Sequence, residues 1–87
     1  MIRGGTIKVR VKLFTGLDKD AGLGGYHREN GLVMEVSQGV RLRKVIKTLG
    51  LPDMNSLAYF VDGERVGLRK KLEDGNEVAC LKPSAGG

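Results

Sequence analysis

Hydrophobic and polar side chains alternate near the start of the chain in a way that predicts a strand. In residues 6–13, β-branched and leucine side chains alternate with three basic ones. A period of two with β-branched residues is typical of a strand with one buried face. The alternation returns at residues 32–36 and predicts a second strand, paired with the first as a loose antiparallel hairpin. Residues 15–31, with five glycines, predict a loop with one helical turn near 17–21.

The middle of the chain predicts one main helix. The i, i+3, i+4, i+7 spacing of a helix face is met by Leu42, Val45, Ile46 and Leu49. We expect residues 37–39 to begin the helix, with Ser37 as its N-cap. Gly50 and Pro52 predict its end, because glycine adopts the left-handed C′ conformation and proline cannot continue a helix. The opposite face carries four basic side chains: Arg41, Arg43, Lys44 and Lys47.

Three further strands are predicted at residues 57–61, 64–66 and 77–82. The dipeptides Asp62-Gly63 and Asp74-Gly75 suit tight turns between elements. In the last strand, Val78 and Cys80 fall on the inward phase. The order strand, strand, helix, strand, strand, strand predicts an α+β sandwich of one sheet with one helix on its buried face.

Length and composition limit the classes of function. A chain of 87 residues allows one domain, which we place at residues 1–82, with residues 1–5 disordered and 83–87 a flexible tail. One Cys and one His exclude a disulfide framework and a cluster of soft metal ligands. The sequence has no apolar run of membrane-spanning length and no signal-peptide core, so we expect no membrane partner and a cytoplasmic location.

Side chains suited to catalysis are scarce. We interpret His27 as a solvated loop residue rather than a general base, and Cys80 as a buried, inert thiol rather than a nucleophile. The net charge is +5. The basic side chains of the first strand and of the helix should lie on opposite layers, and the chain holds only two Tyr and two Phe. We therefore favour solvated charged faces over nucleic-acid binding.

The last two residues offer a different kind of chemistry. Gly86-Gly87 would present an exposed α-carboxylate, ionised at neutral pH. A carboxylate can attack the α-phosphate of ATP and form an acyl-adenylate, an activated acyl group. Residues without side chains can pass a narrow channel in a partner and approach a substrate closely. On the dipeptide alone, a frayed end or a remnant of cloning explains the pair as well.

Several segments together resemble a known family. They are Val-Lys-Leu-Phe at 11–14, Leu-Asp-Lys-Asp-Ala-Gly at 17–22, Gly-Val-Arg-Leu at 39–42, Leu-Glu-Asp-Gly-Asn-Glu-Val-Ala at 72–79 and Lys-Pro-Ser-Ala-Gly-Gly at 82–87. In this order they resemble the ubiquitin-like sulfur carriers, most of all the small subunit of molybdopterin synthase (MoaD) and next the thiamine-pathway carrier ThiS. The resemblance implies a β-grasp fold, a mixed sheet of four to five strands packed on one main helix.

The resemblance also implies a function. An adenylating enzyme of the ubiquitin-activating type (MoeB/ThiF-like) would use ATP to activate Gly87, with Gly86 beside it, and a sulfur donor would convert the adenylate to a thiocarboxylate. The chain would then dock on a molybdopterin synthase large subunit (MoaE-like) and give its sulfur to a pterin precursor. On this reading the chain binds no cofactor itself and is a sulfur-carrying subunit rather than a complete enzyme.

A surface for these partners can be proposed from the strand phases. Phe14, Phe60 and Leu81 fall on the outward phase, and they form one apolar patch if the first, third and fifth strands are neighbours. By resemblance, partners contact this patch and the tail residues Pro83, Ser84 and Ala85. The alternative places Phe60 in the core and turns Tyr59 outward.

Some features depart from the family pattern. Lys82 stands where many members have proline, the net charge is +5 where MoaD-like chains are commonly acidic, and residues 1–5 are an extension. The glycine-rich loop is longer than in a minimal ThiS. These departures leave several acceptors open: a molybdenum or tungsten pterin, the thiamine thiazole, a tRNA, or a lysine in protein tagging.

Overall fold

A computed structural model of the chain describes residues 5–20, 22 and 30–83. Its elements, in chain order, are β1 (Thr6–Leu13), α1 (Leu17–Asp20), β2 (Leu32–Ser37), α2 (Leu42–Leu49), a 3₁₀ turn (Met54–Ser56), β3 (Ala58–Val61), β4 (Glu64–Val66) and β5 (Glu77–Leu81). The predicted order of strands and helix is confirmed. The sequence predicts flexibility for residues 1–5 and 83–87, and of these all but Gly5 and Pro83 lie outside the described residues.

The five strands form one mixed sheet in the order β2-β1-β5-β3-β4. β1 pairs antiparallel with β2 and parallel with β5, while β3 pairs antiparallel with both β5 and β4. The first and last strands of the chain are therefore central neighbours. This arrangement, with α2 against one face, is the β-grasp fold that the resemblance implies, and it makes β1, β5 and β3 adjacent as the predicted patch requires.

The core lies between α2 and the inner face of the sheet. Alternate residues of β1 and β5 face it, and all four predicted core positions of α2 are buried. Two leucines from outside the periodic segments complete it: Leu17, from α1, is fully buried, and Leu72, from the irregular stretch before β5, is almost so. Their burial depends on where the chain returns to the sheet rather than on a local pattern.

The prediction that Ser37 caps the main helix is wrong. Ser37 is the last residue of β2, and α2 begins at Leu42 with Arg41 as an extended N-cap that makes no side-chain cap bond. The amides of Leu42 and Arg43 donate instead to the carbonyls of Lys70 (2.8 Å) and Leu68 (2.9 Å). Backbone carbonyls from the segment after β4 thus satisfy amides that a side chain commonly caps.

Two predicted turns have the backbone conformations that their sequences favour. Gly50 ends α2 with φ of 75°, in the left-handed region where glycine has no steric penalty. Asp62 and Gly63 have φ of 50° and 85° and join β3 to β4 as a tight hairpin turn. Both predictions are confirmed because each depends only on local backbone geometry.

The segment before β5 is tied to β1 by hydrogen bonds. The amide of Lys8 donates to Asp74 Oδ1 and the amide of Gly75 donates to the Lys8 carbonyl, both at 2.8 Å. The amide of Arg10 donates to the carbonyl of Asn76 at 3.0 Å. The Asp-Gly-Asn sequence therefore has a structural role, which is to align β5 in parallel with β1.

Candidate functional site at the end of the last strand

The outer face of the sheet carries an apolar patch where β5 ends. Phe60 of β3 lies opposite Ala79 of β5 in the strand register. Phe14 follows the last β1–β5 pair, and its amide donates to the Cys80 carbonyl at 2.9 Å, which places it beside Leu81. Phe60 and Leu81 are half-buried and Phe14 is 45% exposed. The structure thus brings together Phe14, Phe60 and Leu81, called here the outer patch.

The alternative in which Phe60 joins the core is wrong. Tyr59 is the buried residue of the pair, at 3% exposure, and its hydroxyl donates to the carbonyl of Met54 at 2.7 Å. Phe60 faces outward, where the guanidinium carbon of Arg65 lies 5.9 Å from its ring centroid. An arginine stacked on an aromatic ring is a common feature of binding surfaces. The sequence pattern did not indicate the Arg65 contact, since it depends on the β3–β4 register.

The start of the tail leaves the sheet beside the outer patch. The amide of Lys82 donates to Thr15 Oγ1 at 2.9 Å, and the Thr15 hydroxyl donates to the carbonyl of Phe14 at 2.6 Å. Lys82 and Pro83 are exposed. The predicted tail residues Ser84, Ala85, Gly86 and Gly87 lie outside the described residues. Sequence reasoning missed Thr15, because nothing local indicates a contact with a residue 67 positions away.

The structure tests the interpretation of Cys80 but not that of His27. Cys80 is fully buried, and this burial raises the pKa of its thiol to about 12. A thiol that stays protonated and inaccessible is a poor nucleophile, so the interpretation as an inert core residue is confirmed. His27 lies outside the described residues, and its interpretation stays a prediction.

The basic side chains occupy two layers, as expected. Those of β1 lie on the outer face, where Lys12 pairs with Glu77 at 3.3 Å between Nζ and Oε2. Those of α2 lie on the opposite side of the molecule. The structure adds a feature that the sequence did not predict: Arg41 Nη1 donates to the carbonyl of Arg69 at 2.8 Å, so the basic segment 69–71 joins the helix surface.

One surface cavity of the described residues lies away from the start of the tail. It has a volume of about 470 Å³ and is lined by Val61, Asp62, Gly63, Glu64, Lys70, Glu73 and Asn76. Val61 pairs with Val78 at the start of β5, whereas Ala58 pairs with Leu81 at its end. The cavity and the tail are thus at opposite ends of the sheet. Asp62, which lines the cavity, has a structural role. Its carboxylate accepts hydrogen bonds from Asn76 Nδ2 (2.7 Å) and from the Glu77 amide (2.9 Å).

A metal-ligating cluster and a membrane-spanning helix are both absent from the described part of the chain. His, Cys, Asp and Glu side chains there form no group of three that could hold a metal ion. Within the same ranges, no helix is both long and apolar enough to span a membrane.

The fold is shared with solved structures of small ubiquitin-like proteins. A Pyrococcus furiosus protein described as molybdopterin converting factor, subunit 1, superposes with a TM-score of 0.68 at 23% identity, covering 90% of this chain and 99% of that one. Small archaeal modifier protein 1 (SAMP1) from Methanosarcina acetivorans superposes with a TM-score of 0.63 at 23% identity, covering 97% and 100%. SAMP1 from Haloferax volcanii gives a TM-score of 0.67 at 20% identity, covering 92% and 99%.

These likenesses show the fold. Each pair of chains is covered almost end to end, so the whole β-grasp domain is shared rather than one motif of it. No protein-family model matches the sequence, and no curated protein matches it significantly. The function must therefore be argued from the geometry of the outer patch and the tail.

Proposed function

We propose that this chain is a sulfur carrier, whose Gly87 carboxylate is activated as an adenylate and converted to a thiocarboxylate. The observation that carries the proposal is the position of β5, the strand that leads into the tail. β5 lies in the centre of the sheet and ends beside the outer patch, and the side-chain-free Gly86-Gly87 pair follows a few residues later. A folded head and an apolar surface thus adjoin the point at which the chain continues from Lys82 and Pro83 into the tail.

The chemistry needs no catalytic side chain from this protein. The Gly87 carboxylate attacks the α-phosphorus of ATP held by an activating enzyme, pyrophosphate leaves, and an acyl-adenylate forms. Hydrosulfide released by a sulfur donor then attacks the acyl carbon and displaces AMP, which carries away one carboxyl oxygen, so that this oxygen is replaced by sulfur with no change of oxidation state. The buried state of Cys80, the sole cysteine, agrees with this scheme, because the transferred sulfur must then come from another molecule.

The outer patch is the proposed docking surface for the partners. Aromatic and aliphatic side chains at the centre of an interface commonly supply most of its binding energy. Phe14, Phe60 and Leu81 meet this description, and Pro83, Ser84 and Ala85 connect the patch to Gly86-Gly87. The partners we propose are a MoeB/ThiF-like activating enzyme and a MoaE-like large subunit. The likeness to a molybdopterin converting factor subunit supports a pterin precursor as the sulfur acceptor.

The test is an intact-mass measurement on the full chain. It is incubated with ATP, an activating enzyme proven to charge another carrier, and a sulfur donor. We expect a mass gain equal to the exchange of one oxygen for sulfur, located at Gly87 by fragmentation. A matched variant lacking Gly87 should remain folded and show no gain. An unchanged mass of the intact chain, with an enzyme that charges its control carrier, would refute the proposal.

A second candidate function is protein modification. The likeness to SAMP1 from two archaea favours it, because these structures are described as small archaeal modifier proteins. In this case Gly87 would end in an isopeptide bond to a lysine, from the same adenylate. Adding a lysate to the charging reaction separates the two functions. Gly87–lysine linkages found by mass spectrometry would support modification, whereas sulfur on Gly87 without such linkages would support the carrier.

A further inference from the structure

Thr15 has a backbone conformation that its residue type disfavours. Its φ is 56°, and positive φ is a genuine outlier for a β-branched residue. Gly16 follows with φ of 79°, and the amide of Leu17 donates to the carbonyl of Phe14 at 3.1 Å. Tight turns with two positive φ values prefer Asn, Asp or Gly at the first of these positions. Asn, Asp or Gly would therefore adopt this backbone conformation with less strain than Thr15 does.

The Thr15 hydroxyl makes two bonds from this position. It donates to the carbonyl of Phe14 at 2.6 Å and accepts from the amide of Lys82 at 2.9 Å. A hydroxyl can donate and accept at once, which glycine cannot do because it has no side chain. Residues with strained backbone conformations commonly occur at functional sites. The strain at Thr15 coincides with a contact to the start of the tail.

The hydrogen bond between Thr15 and Lys82 lies just beyond the last paired residues of the sheet. β5 pairs with β1 as far as Leu13–Cys80 and with β3 as far as Ala58–Leu81. Lys82 is the next residue, so its bond to Thr15 extends the attachment of the chain by one residue past the sheet. The direction in which the tail leaves the outer patch depends on this first residue.

We propose that Thr15 is a positioning residue that holds Lys82 beside the outer patch, at the point from which the tail continues. Its role in transfer rests on the proposed function, in which Gly87 must enter the site of an activating enzyme. Holding the first tail residue reduces the conformations that must be lost when the tail is bound. The hydroxyl of Thr15 thus favours productive binding without touching the reacting atoms.

The first experiment does not depend on the proposed function. Amide hydrogen exchange at Lys82 is measured by NMR on the full chain and on Thr15→Val, Thr15→Ser and Thr15→Gly. Valine keeps the branched shape without the hydroxyl, serine keeps the hydroxyl, and glycine relieves the backbone. We expect exchange at Lys82 to be about five-fold faster in the valine and glycine variants, and near normal in the serine variant. Equal exchange in all four proteins would overturn the inference.

The second experiment measures charging by an activating enzyme. We expect Thr15→Val and Thr15→Gly to lower kcat/KM several-fold, mainly through a higher KM, and Thr15→Ser to restore it. Urea unfolding of each variant separates this effect from stability, because glycine should stabilise the turn yet still charge poorly. Normal charging of the glycine variant would overturn the role in transfer.

The two proposals can fail separately. If the unaltered chain is not charged at all, the proposed function falls, and the exchange at Lys82 still decides whether Thr15 holds the tail. If the unaltered chain is charged and the valine variant is charged equally well, only the role of Thr15 in transfer falls.

Discussion

Cys80 and Tyr59 show how burial controls the ionisation of single residues. They lie opposite each other on the inner face of the sheet, across the β3–β5 pair. Burial raises the pKa of the Cys80 thiol to about 12. Burial and, to a smaller extent, the nearby charge of the Cys80 thiolate raise the pKa of Tyr59 to about 12 as well. Both groups therefore stay neutral in the fold at pH values where the unfolded chain loses their protons.

Stability should consequently fall in alkaline solution. In the unfolded chain the thiol and the phenol ionise near their ordinary pKa values of 9.0 and 10.0. Because the folded-state values are raised, their contribution to the free energy of unfolding is complete below about pH 9 and is lost as the pH rises toward about 12. Urea unfolding at a series of pH values should show this decline.

Cys80→Val tests the assignment of the pH dependence. Valine is buried and similar in size but has no ionisable group, so the decline in stability should become shallower and begin nearer the pKa of tyrosine. Tyr59→Phe should remove the part of the decline in stability that comes from the tyrosine phenol. An unchanged pH dependence in the valine variant would show that the thiol is not its source.

Among the elements, α2 carries charges that oppose its own dipole. Arg41, Arg43 and Lys44 surround its first turn, which holds no acidic residue, while Lys47 in the last turn is favourably placed. The amino end of a helix has a partial positive charge, so cations there are destabilising and cations at the carboxyl end are stabilising. The first-turn charges thus oppose the folding of α2.

A pair of charge reversals tests this interpretation. Arg43→Glu should raise the free energy of unfolding by about 0.3–1 kcal/mol, and Lys47→Glu should lower it by a similar amount. Both side chains are exposed, and both variants change the net charge equally, so each is the control for the other. Urea midpoints at low salt measure the effect, which should shrink at high salt. Shifts of the same sign in both variants would contradict the dipole argument.

At the scale of the whole molecule, the outer face of the sheet is divided into two regions. The outer patch covers the side where β1 and β5 end and the antiparallel β3 begins, beside Lys82. Toward β2 the same face is charged, with Lys8 opposite Glu35 and Arg10 opposite Val33 in the register, Val33 being 52% exposed. Apolar surface concentrated next to the tail fits a docking site better than scattered exposure does.

Two substitutions on the outer face of the sheet test whether the outer patch, rather than the charged region, is the docking surface. Phe60→Asp should lower kcat/KM for charging by an activating enzyme about ten-fold or more, because it replaces an aromatic side chain of the outer patch with a carboxylate. Val33→Asp adds the same charge on the same face, on a strand farther from the tail, and should leave charging near normal. Far-UV circular dichroism and urea unfolding confirm that both variants fold. Equal effects on charging would show that the patch is not the docking surface.

Local patterns in the sequence determined most of the elements. Alternation determined which faces of β1, β2 and β5 are buried, and the four-residue stripe determined the buried face of α2, because these periods follow from the geometry of each element. Gly50 and Asp62-Gly63 determined turns through their backbone preferences. Order and spacing also led to the β-grasp resemblance.

Only the tertiary structure decided the contacts that join distant segments. Leu17 and Leu72 enter the core, backbone carbonyls near Lys70 take the place of the predicted Ser37 cap, and Thr15 holds Lys82. The Thr15–Lys82 bond, between residues 67 positions apart, depends on the parallel pairing of β1 with β5, which brings the ends of these two strands side by side. A local pattern shows which face of an element is apolar. Which segment packs against that face depends on how the whole chain packs.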